Sequence, residues 1–127
     1  MSNTAIKQLI EEFASKDRMG NYFLENATEQ FLFIRPSGNP IDAVGFGKMF
    51  STGDLTIQSS ELIKIHRLDA FDQVAFAVFT MKGSFTYQGQ TNDDSCAISA
   101  FFRNIDGTWK FDCLQRSSGT TDLTSWD

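Results

Sequence analysis

The segment SCAISAFFRNIDGTWKFDCLQRSSG, residues 95–119, decides the fold of this chain. Two runs of alternating apolar and polar residues flank the sequence Asn104-Ile105-Asp106-Gly107, a pattern that predicts a β-hairpin. If these four residues form the loop, Arg103 pairs with Thr108, and cross-strand partners then share one face of the sheet. The hairpin therefore has two faces of different composition.

The first face is nearly all apolar and consists of Cys96, Ile98, Ala100, Phe102, Trp109, Phe111, Cys113 and Gln115. The second is mixed and charged and consists of Ser95, Ala97, Ser99, Phe101, Arg103, Thr108, Lys110, Asp112, Leu114 and Arg116. A slip of one residue would scramble both faces, so the pattern itself supports the register. Periodicity alone favours the Trp109 face on the core and the Lys110 face in water. The alternative buries both faces, one under helices around a pocket and one against another subunit.

The remaining sequence predicts helices first and strands afterwards. Apolar residues at helical spacing in residues 6–13 predict a first helix, Asp17 is expected to cap a second through about Leu24, and residues 41–50 predict a third. Residues 30–36 read as a strand among them, and residues 55–68 and 71–89 as two longer strands, with Gly83 as a bulge or bend. This order predicts an α+β fold, a curved antiparallel sheet with two to three N-terminal helices on one side.

Composition limits the classes of function. The chain has 127 residues, 41% of them hydrophobic, a net charge of −5 and no Lys/Arg cluster, so nucleic acid and anionic membranes are disfavoured as partners. An amphipathic, acid-containing N-terminus argues against a signal peptide and for the cytoplasm, where the two cysteines stay reduced. One histidine and two distant cysteines do not make a zinc site, and we expect no metal and no cofactor.

The order of elements, together with FTYQG at 85–89 and AFFRNIDGTWKF at 100–111, resembles the nuclear transport factor 2-like (NTF2-like, or SnoaL-like, cystatin-like) superfamily. The resemblance covers residues 4–119, and we expect residues 1–119 to form one domain, with residues 120–127 as a flexible tail. It implies a sheet curled into a half-open cone, helices over its concave face, a cavity between them, and a convex face that often forms a homodimer. It says little of function, because the superfamily includes enzymes, transport factors and assembly domains.

Two branches of the superfamily suggest which residues would lie in the cavity. The acid/base positions of the ketosteroid isomerase branch fall on Leu9, Arg35 and Ser99, and a guanidinium cannot accept a proton at neutral pH, so that chemistry is not expected. The kinase association domain branch resembles the chain at QRSSG, where it implies an inward Arg116. Both comparisons place the mixed face of the hairpin inward, which reverses the interpretation from periodicity.

The residues that this orientation predicts for a ligand pocket are Arg35, Met81, Phe85, Tyr87, Ser99, Phe101, Asp112, Leu114 and Arg116. Those that it predicts for a sheet-to-sheet homodimer are Ile98, Phe102, Trp109, Phe111, Cys113 and Gln115. The expected function is binding of a small, partly apolar molecule that could be anionic, since Arg35 and Arg116 could each receive a carboxylate or instead pair with Asp112 or solvent. The first alternative is an isomerase, dehydratase or cyclase that uses Asp112 or His66 with Tyr87. The second is a dimerisation or assembly module without a ligand.

Overall fold

A computed structural model describes residues 2–15, 21–36 and 38–119 of the chain. The helices are α1 Ser2–Ala14, α2 Tyr22–Asn26 and α3 Ala43–Ser51. The strands are β1 Ala27–Ile34, β2 Pro40–Ile41, β3 Leu55–Phe71, β4 Val74–Tyr87, β5 Gln90–Ile105 and β6 Thr108–Gly119. The predicted α+β class is confirmed. Two predicted features, the Asp17 cap and the tail 120–127, lie outside the described residues.

α1 and α3 form about where the sequence predicts them, whereas α2, predicted to end at about Leu24, runs from Tyr22 to Asn26. The stripe Ile6, Leu9, Ile10 and Phe13 in α1 is buried against the sheet. α3 begins after Asp42, whose carboxylate accepts a 2.7 Å hydrogen bond from the backbone N–H of Gly45 and so caps the helix. The short strand β2, at the end of the predicted turn, was not expected from the sequence.

The described strands form one six-stranded sheet in the order β2-β1-β6-β5-β4-β3. All neighbouring pairs are antiparallel except β1 and β6, which are parallel. β3, β4, β5 and β6 lie side by side in chain order, and a hairpin joins each to the next, as the sequence predicts. β1 joins them from the helical half of the chain and places its residues beside the last strand.

The turn between β5 and β6 is shorter than the predicted four-residue loop. Ile105 pairs with Thr108, which leaves Asp106 and Gly107 as a two-residue turn. Their φ angles are 53° and 89°, the pair of positive values that a type I′ turn requires. The predicted pairing of Arg103 with Thr108 is therefore wrong by two residues, and a shift of two leaves every side chain near the turn on its predicted face.

An extra residue in β6 reverses the faces farther from the turn. Phe102 pairs with Phe111, whereas Phe101 pairs with Cys113, so Asp112 lies between the two pairs as a bulge. Before Asp112 the odd-numbered residues of β6 face inward, and beyond it the even-numbered ones do. Leu114 and Arg116 therefore face the same side as Phe111. The inner face of the hairpin consists of Cys96, Ile98, Ala100, Phe102, Trp109, Phe111, Leu114 and Arg116.

The core is an aromatic cluster between the helices and this inner face. Phe23 is its centre: its ring stacks on Phe31 at 4.4 Å between centroids and meets Phe46 edge-on at 4.8 Å and Phe111 at 5.5 Å. The hydroxyl oxygen of Tyr22 lies 3.1 Å from the carbonyl oxygen of Leu9, which ties α2 to α1. This cluster fixes the helices over the concave side of the sheet.

The outward orientation predicted for four members of the apolar face is wrong. Ile98, Phe102, Trp109 and Phe111 are buried in the core, as periodicity alone favoured. The remaining two, Cys113 and Gln115, do lie on the outer face, because they follow the bulge. In the part of the chain that the structure describes, no helix combines the length and the apolar character needed to cross a bilayer.

Candidate functional site

A cavity of about 440 Å³ lies between α1, α3 and the concave side of the sheet. Its volume is within the usual range for small-molecule sites, about 300–1,000 Å³. Most of the lining is apolar or aromatic, and the apolar side chains of the wall are Phe13, Phe33, Phe46, Met49, Phe50, Leu55, Ile57, Met81, Phe85 and Ile98. Space of this size and character can hold a partly apolar molecule.

A bend in two strands shapes one wall of the cavity. The pairing of β3 with β4 shifts between Ile57 and Ser59, and Gly83 pairs with Ser60 just past this bulge. A Cβ atom at position 83 would lie only 2.7 Å from the carbonyl oxygen of Ser59, so the strands approach this closely because residue 83 is glycine. The Ser60 hydroxyl donates a 2.6 Å hydrogen bond to the carbonyl of Ala14, which fastens the bend to the end of α1. The irregularity predicted at Gly83 lies in the facing strand β3, whereas Gly83 itself keeps a regular register with β5.

Two arginines reach the cavity from neighbouring strands. Ile34 of β1 pairs with Gln115 of β6, and Arg35 and Arg116 are the next residue of each chain segment. Both line the cavity, whose wall is otherwise largely apolar.

The surroundings hold both guanidinium groups in place. Arg35 Nε donates a 3.0 Å hydrogen bond to the carbonyl oxygen of Asn39, and its Nη1 lies 3.8 Å from the sulfur of Met49. The guanidinium carbon of Arg116 lies 4.9 Å from the ring centroid of Phe85, a cation–π distance. The only other charged residue among the described lining is Lys82, which is exposed. The described lining therefore contains cationic groups and no Asp or Glu.

The structure brings five of the nine predicted pocket residues to the cavity: Arg35, Met81, Phe85, Tyr87 and Arg116. Leu114 faces inward but is fully buried in the core. Ser99 and Phe101 lie on the outer face, and Phe101 is 52% exposed there. Their predicted inward orientation is wrong, since it assumed an uninterrupted alternation in β6.

The two candidate acid/base groups lie apart from the cavity. Asp112 occupies the bulge, where its Oδ1 accepts a 2.7 Å hydrogen bond from the hydroxyl of Thr28. His66 is exposed on β3, its Nε2 lies 2.7 Å from the hydroxyl oxygen of Thr80, and it borders a separate, shallow depression. Neither group meets Tyr87, so the catalytic combination considered from the sequence is not assembled.

Several cavity residues were not predicted, although the sequence carried a signal for some of them. Leu55 pairs with Tyr87 and Ile57 pairs with Phe85, so each shares the face of a predicted pocket residue. The contributions of α1 and α3, namely Phe13, Phe46, Met49 and Phe50, depend on how the helices pack and have no such local signal. Across the described residues, no group of three or more His, Cys, Asp and Glu side chains has a geometry that could hold a metal ion.

A row of apolar side chains crosses the opposite, outer face of the sheet. Leu32, Cys113, Phe101 and Phe76 are successive cross-strand neighbours on β1, β6, β5 and β4. The rings of Phe76 and Phe101 stack with centroids 5.9 Å apart, and the guanidinium carbon of Arg67 lies 4.5 Å from the Phe76 centroid. Leu32 is 44% exposed, so this outer row presents apolar surface to its surroundings.

Cys113 in this row is a poor nucleophile. Burial, and secondarily the neighbouring carboxylate of Asp112, raise the pKa of its thiol above the ordinary value, while a backbone hydrogen bond at Leu114 acts in the opposite direction. Because the thiolate is the reactive form, the raised pKa lowers the reactive fraction at neutral pH.

Comparison with known proteins places the chain in a family. The family model described as "Protein of unknown function (DUF3804)" matches residues 1–127. The crystal structure of an NTF2-like protein of unknown function from Prochlorococcus sp. NATL2A is 48% identical, covers 99% of both chains and superposes with a TM-score of 0.90. No curated protein matches the sequence.

More distant structures share the fold alone. A putative Ca/calmodulin-dependent kinase II association domain from Exiguobacterium sibiricum has 11% identity and a TM-score of 0.80, with 95% of each chain covered. A ketosteroid isomerase-like protein from Erwinia carotovora atroseptica has 12% identity and a TM-score of 0.73, with 94% of this chain and 97% of that chain covered. Proteins with such different names share one architecture, so the fold does not select a function.

Proposed function

This chain belongs to the DUF3804 family and has the NTF2-like fold, and on that premise we propose that it binds a small, partly apolar molecule in the cavity between its helices and its sheet. The observation that carries the proposal is the 440 Å³ cavity itself, whose volume lies in the range of small-molecule sites. Its apolar walls favour the burial of hydrocarbon, and a few polar groups, among them Tyr87 and Asn39, could fix an orientation.

Binding is favoured over turnover by the chemistry of the wall. General acid–base catalysis most often uses His, Asp or Glu within hydrogen-bond reach of the reacting atom, and less often Lys, Tyr or Cys. The described lining contains Lys82, Tyr87 and Cys96 but none of the first three, since Asp112 and His66 lie elsewhere. We therefore treat the isomerase, dehydratase or cyclase alternative as the less supported one.

The proposal can be tested by filling the cavity. Met49→Trp places a larger side chain into the wall from α3, and Val44→Trp adds the same ring at a position of α3 that is 52% exposed. Thermal unfolding of each variant is measured with and without an excess of 1-octanol and of octanoate. We expect at least one compound to raise the Tm of the unmodified chain and of Val44→Trp, with a much smaller shift for Met49→Trp. Equal shifts in all three proteins, or no shift in any, would contradict the proposal.

A second candidate function is assembly through the outer face of the sheet, which the outer row favours. Leu32, Phe76, Phe101 and Cys113 form a continuous apolar strip, and such strips on soluble domains commonly mark interaction sites. We propose that a second copy of the chain covers this strip, in place of the interface predicted from the sequence. The two proposals are compatible, because the cavity and the strip lie on opposite sides of the sheet.

Analytical ultracentrifugation over a range of concentrations tests the homodimer. We expect a dimer for the unmodified chain and a shift towards monomer for Phe101→Asp, because the substitution places a charge at the centre of the strip. Ile63→Asp is the matched control, since Ile63 is similarly exposed but lies on β3 outside the strip. A monomeric unmodified chain at high concentration, or an unaltered dimer in Phe101→Asp, would exclude this interface.

A further inference from the structure

We propose that the ligand of the cavity is a carboxylate, whose head group lies between Arg35 and Arg116 and whose apolar body extends along the Phe and Met side chains of the wall. This inference rests on the proposed function and adds the chemical class of the ligand. Its starting point is the pairing of β1 with β6, which brings the two arginines to adjacent positions on neighbouring strands.

The adjacency of two cations in an apolar surrounding is the first argument. A carboxylate that reaches both guanidinium groups forms a charge-assisted interaction with each of them. The protein as a whole has a net charge of −5, yet the charged residues in the described part of this wall are all positive. The sign of the charge on the wall is therefore opposite to that of the net charge.

The geometry of the two side chains is the second argument. Arg35 donates a hydrogen bond from Nε to the carbonyl of Asn39, and the guanidinium carbon of Arg116 lies 4.9 Å from the ring centroid of Phe85. A positioned guanidinium loses little further side-chain entropy when it binds, and its planar fork matches the two oxygens of a carboxylate.

The surroundings favour a carboxylate over a phosphate ester. Phosphate sites commonly use backbone N–H groups at a helix N-terminus or in a glycine-rich loop. The described lining of this cavity includes Phe46, Met49 and Phe50 of α3 but none of residues 42–45 at the start of that helix, so it lacks a helix N-terminus of this kind. A singly charged group attached to hydrocarbon suits both halves of the cavity.

The test compares compounds that share one tail, namely octanoate, 1-octanol and octyl phosphate, by isothermal titration calorimetry on the unmodified chain at low salt. We expect octanoate to bind at least tenfold more tightly than either of the other two, because hydrogen bonds to charged partners are the stronger ones. Equal affinity for octanol and octanoate would overturn the carboxylate proposal while leaving cavity binding intact. Preference for octyl phosphate would overturn it in favour of a phosphate ligand, and failure of all three compounds would contradict both this inference and the proposed function.

Variants then locate the head group. Arg35→Gln and Arg116→Gln are each expected to lose at least tenfold in octanoate affinity while octanol affinity stays within about twofold. Arg103→Gln removes an exposed arginine near the β5–β6 turn and is the matched control, with no change expected. Retained octanoate affinity in a folded Arg35→Gln and a folded Arg116→Gln would overturn the proposed position. If either variant fails to fold, Arg116→Lys and Arg35→Lys replace it, because they retain the charge but not the planar fork. An octanoate-to-octanol affinity ratio equal to that of the unmodified chain would then overturn the proposed position.

Discussion

Thr28 donates a 2.7 Å hydrogen bond to Asp112, the extra residue that reverses the alternation of β6. The two residues are 84 positions apart in the chain and meet because β1 runs parallel to β6. The contact therefore fastens the bulge to the neighbouring strand, at the place where the inner face changes from Phe111 to Leu114. The bulge that this contact fastens sets which side chains of β6 reach the cavity.

Removal of this contact should destabilise the fold. Asp112→Ala and Thr28→Val are each expected to lower the free energy of unfolding by about 1–2 kcal/mol, because each leaves a half-buried partner without its hydrogen bond. Urea denaturation measures the change, and the double variant should lose less than the sum of the two single losses. Glu29→Gln, at an exposed position next to Thr28, is the control and should change stability by less than about 0.5 kcal/mol. Strict additivity would show that the hydrogen bond contributes nothing.

Gly83 is expected to tolerate no side chain. Gly83→Ala would place a Cβ atom 2.7 Å from the carbonyl oxygen of Ser59, a backbone atom that cannot rotate away. The strands must separate, and we expect a loss of about 1–3 kcal/mol, the usual range for overpacking. Thermal or urea unfolding measures it, with Ser84→Ala on the adjacent residue as the control. Unchanged stability in Gly83→Ala would mean that the bend yields without cost.

Phe23 should be the most sensitive position of the short helix α2. Phe23→Ala removes a ring that contacts the aromatic side chains of both the helices and the sheet, and a loss of about 3–5 kcal/mol is expected. Leu24→Ala, at the next position of the same helix, is the control: Leu24 is 52% exposed, so its loss should be small. Similar losses for the two variants would refute the proposed centre of the core.

Alkylation of Cys113 should depend on pH in a defined direction. Because burial and Asp112 raise the pKa of the thiol, the rate of reaction with iodoacetamide is expected to reach its midpoint at a higher pH in the folded protein than in the chain unfolded by guanidinium chloride. Use of Cys96→Ser isolates the Cys113 signal, which mass spectrometry follows. In Asp112→Asn the midpoint should move down, since a negative neighbour is lost. A folded midpoint at or below the unfolded one would contradict the described surroundings.

The same raised pKa has a consequence for stability. The folded protein holds the thiol proton more tightly than the unfolded chain does. The contribution of this group to the free energy of unfolding therefore decreases as pH rises past the ordinary thiol pKa. Below that pH both states are protonated, and the group makes no difference to the pH dependence.

The sequence predicts the main features of the fold because they depend on local patterns. The stripe of α1 repeats with helical spacing, the alternation of β5 marks a strand, and Asp106-Gly107 is a strong signal for a tight turn. The family resemblance supplied the arrangement of helices over the concave side. It misled at Trp109 and Phe111, where simple periodicity was correct.

The orientation beyond the bulge could not be predicted, because it depends on a non-local contact. Nothing within residues 108–119 distinguishes Asp112 as an inserted residue; its role becomes clear only when Thr28 lies beside it. Arg116 nevertheless lies on its predicted side. The resemblance assigned it from the motif at the end of the strand, so the extra residue nearer the turn did not affect the prediction. The cavity residues of α3 depend likewise on helix packing, which a single sequence does not specify.

The inserted residue in β6 also bears on how members of this family could diverge. Deletion of the single codon for Asp112 would restore an unbroken alternation and leave Gln115 on the outer face and Arg116 on the inner one. A regular strand that kept Asp112 would instead carry Gln115 inward and Arg116 outward. A family built on this strand could thus lose the bulge in one genetic step without changing the charge of its interior.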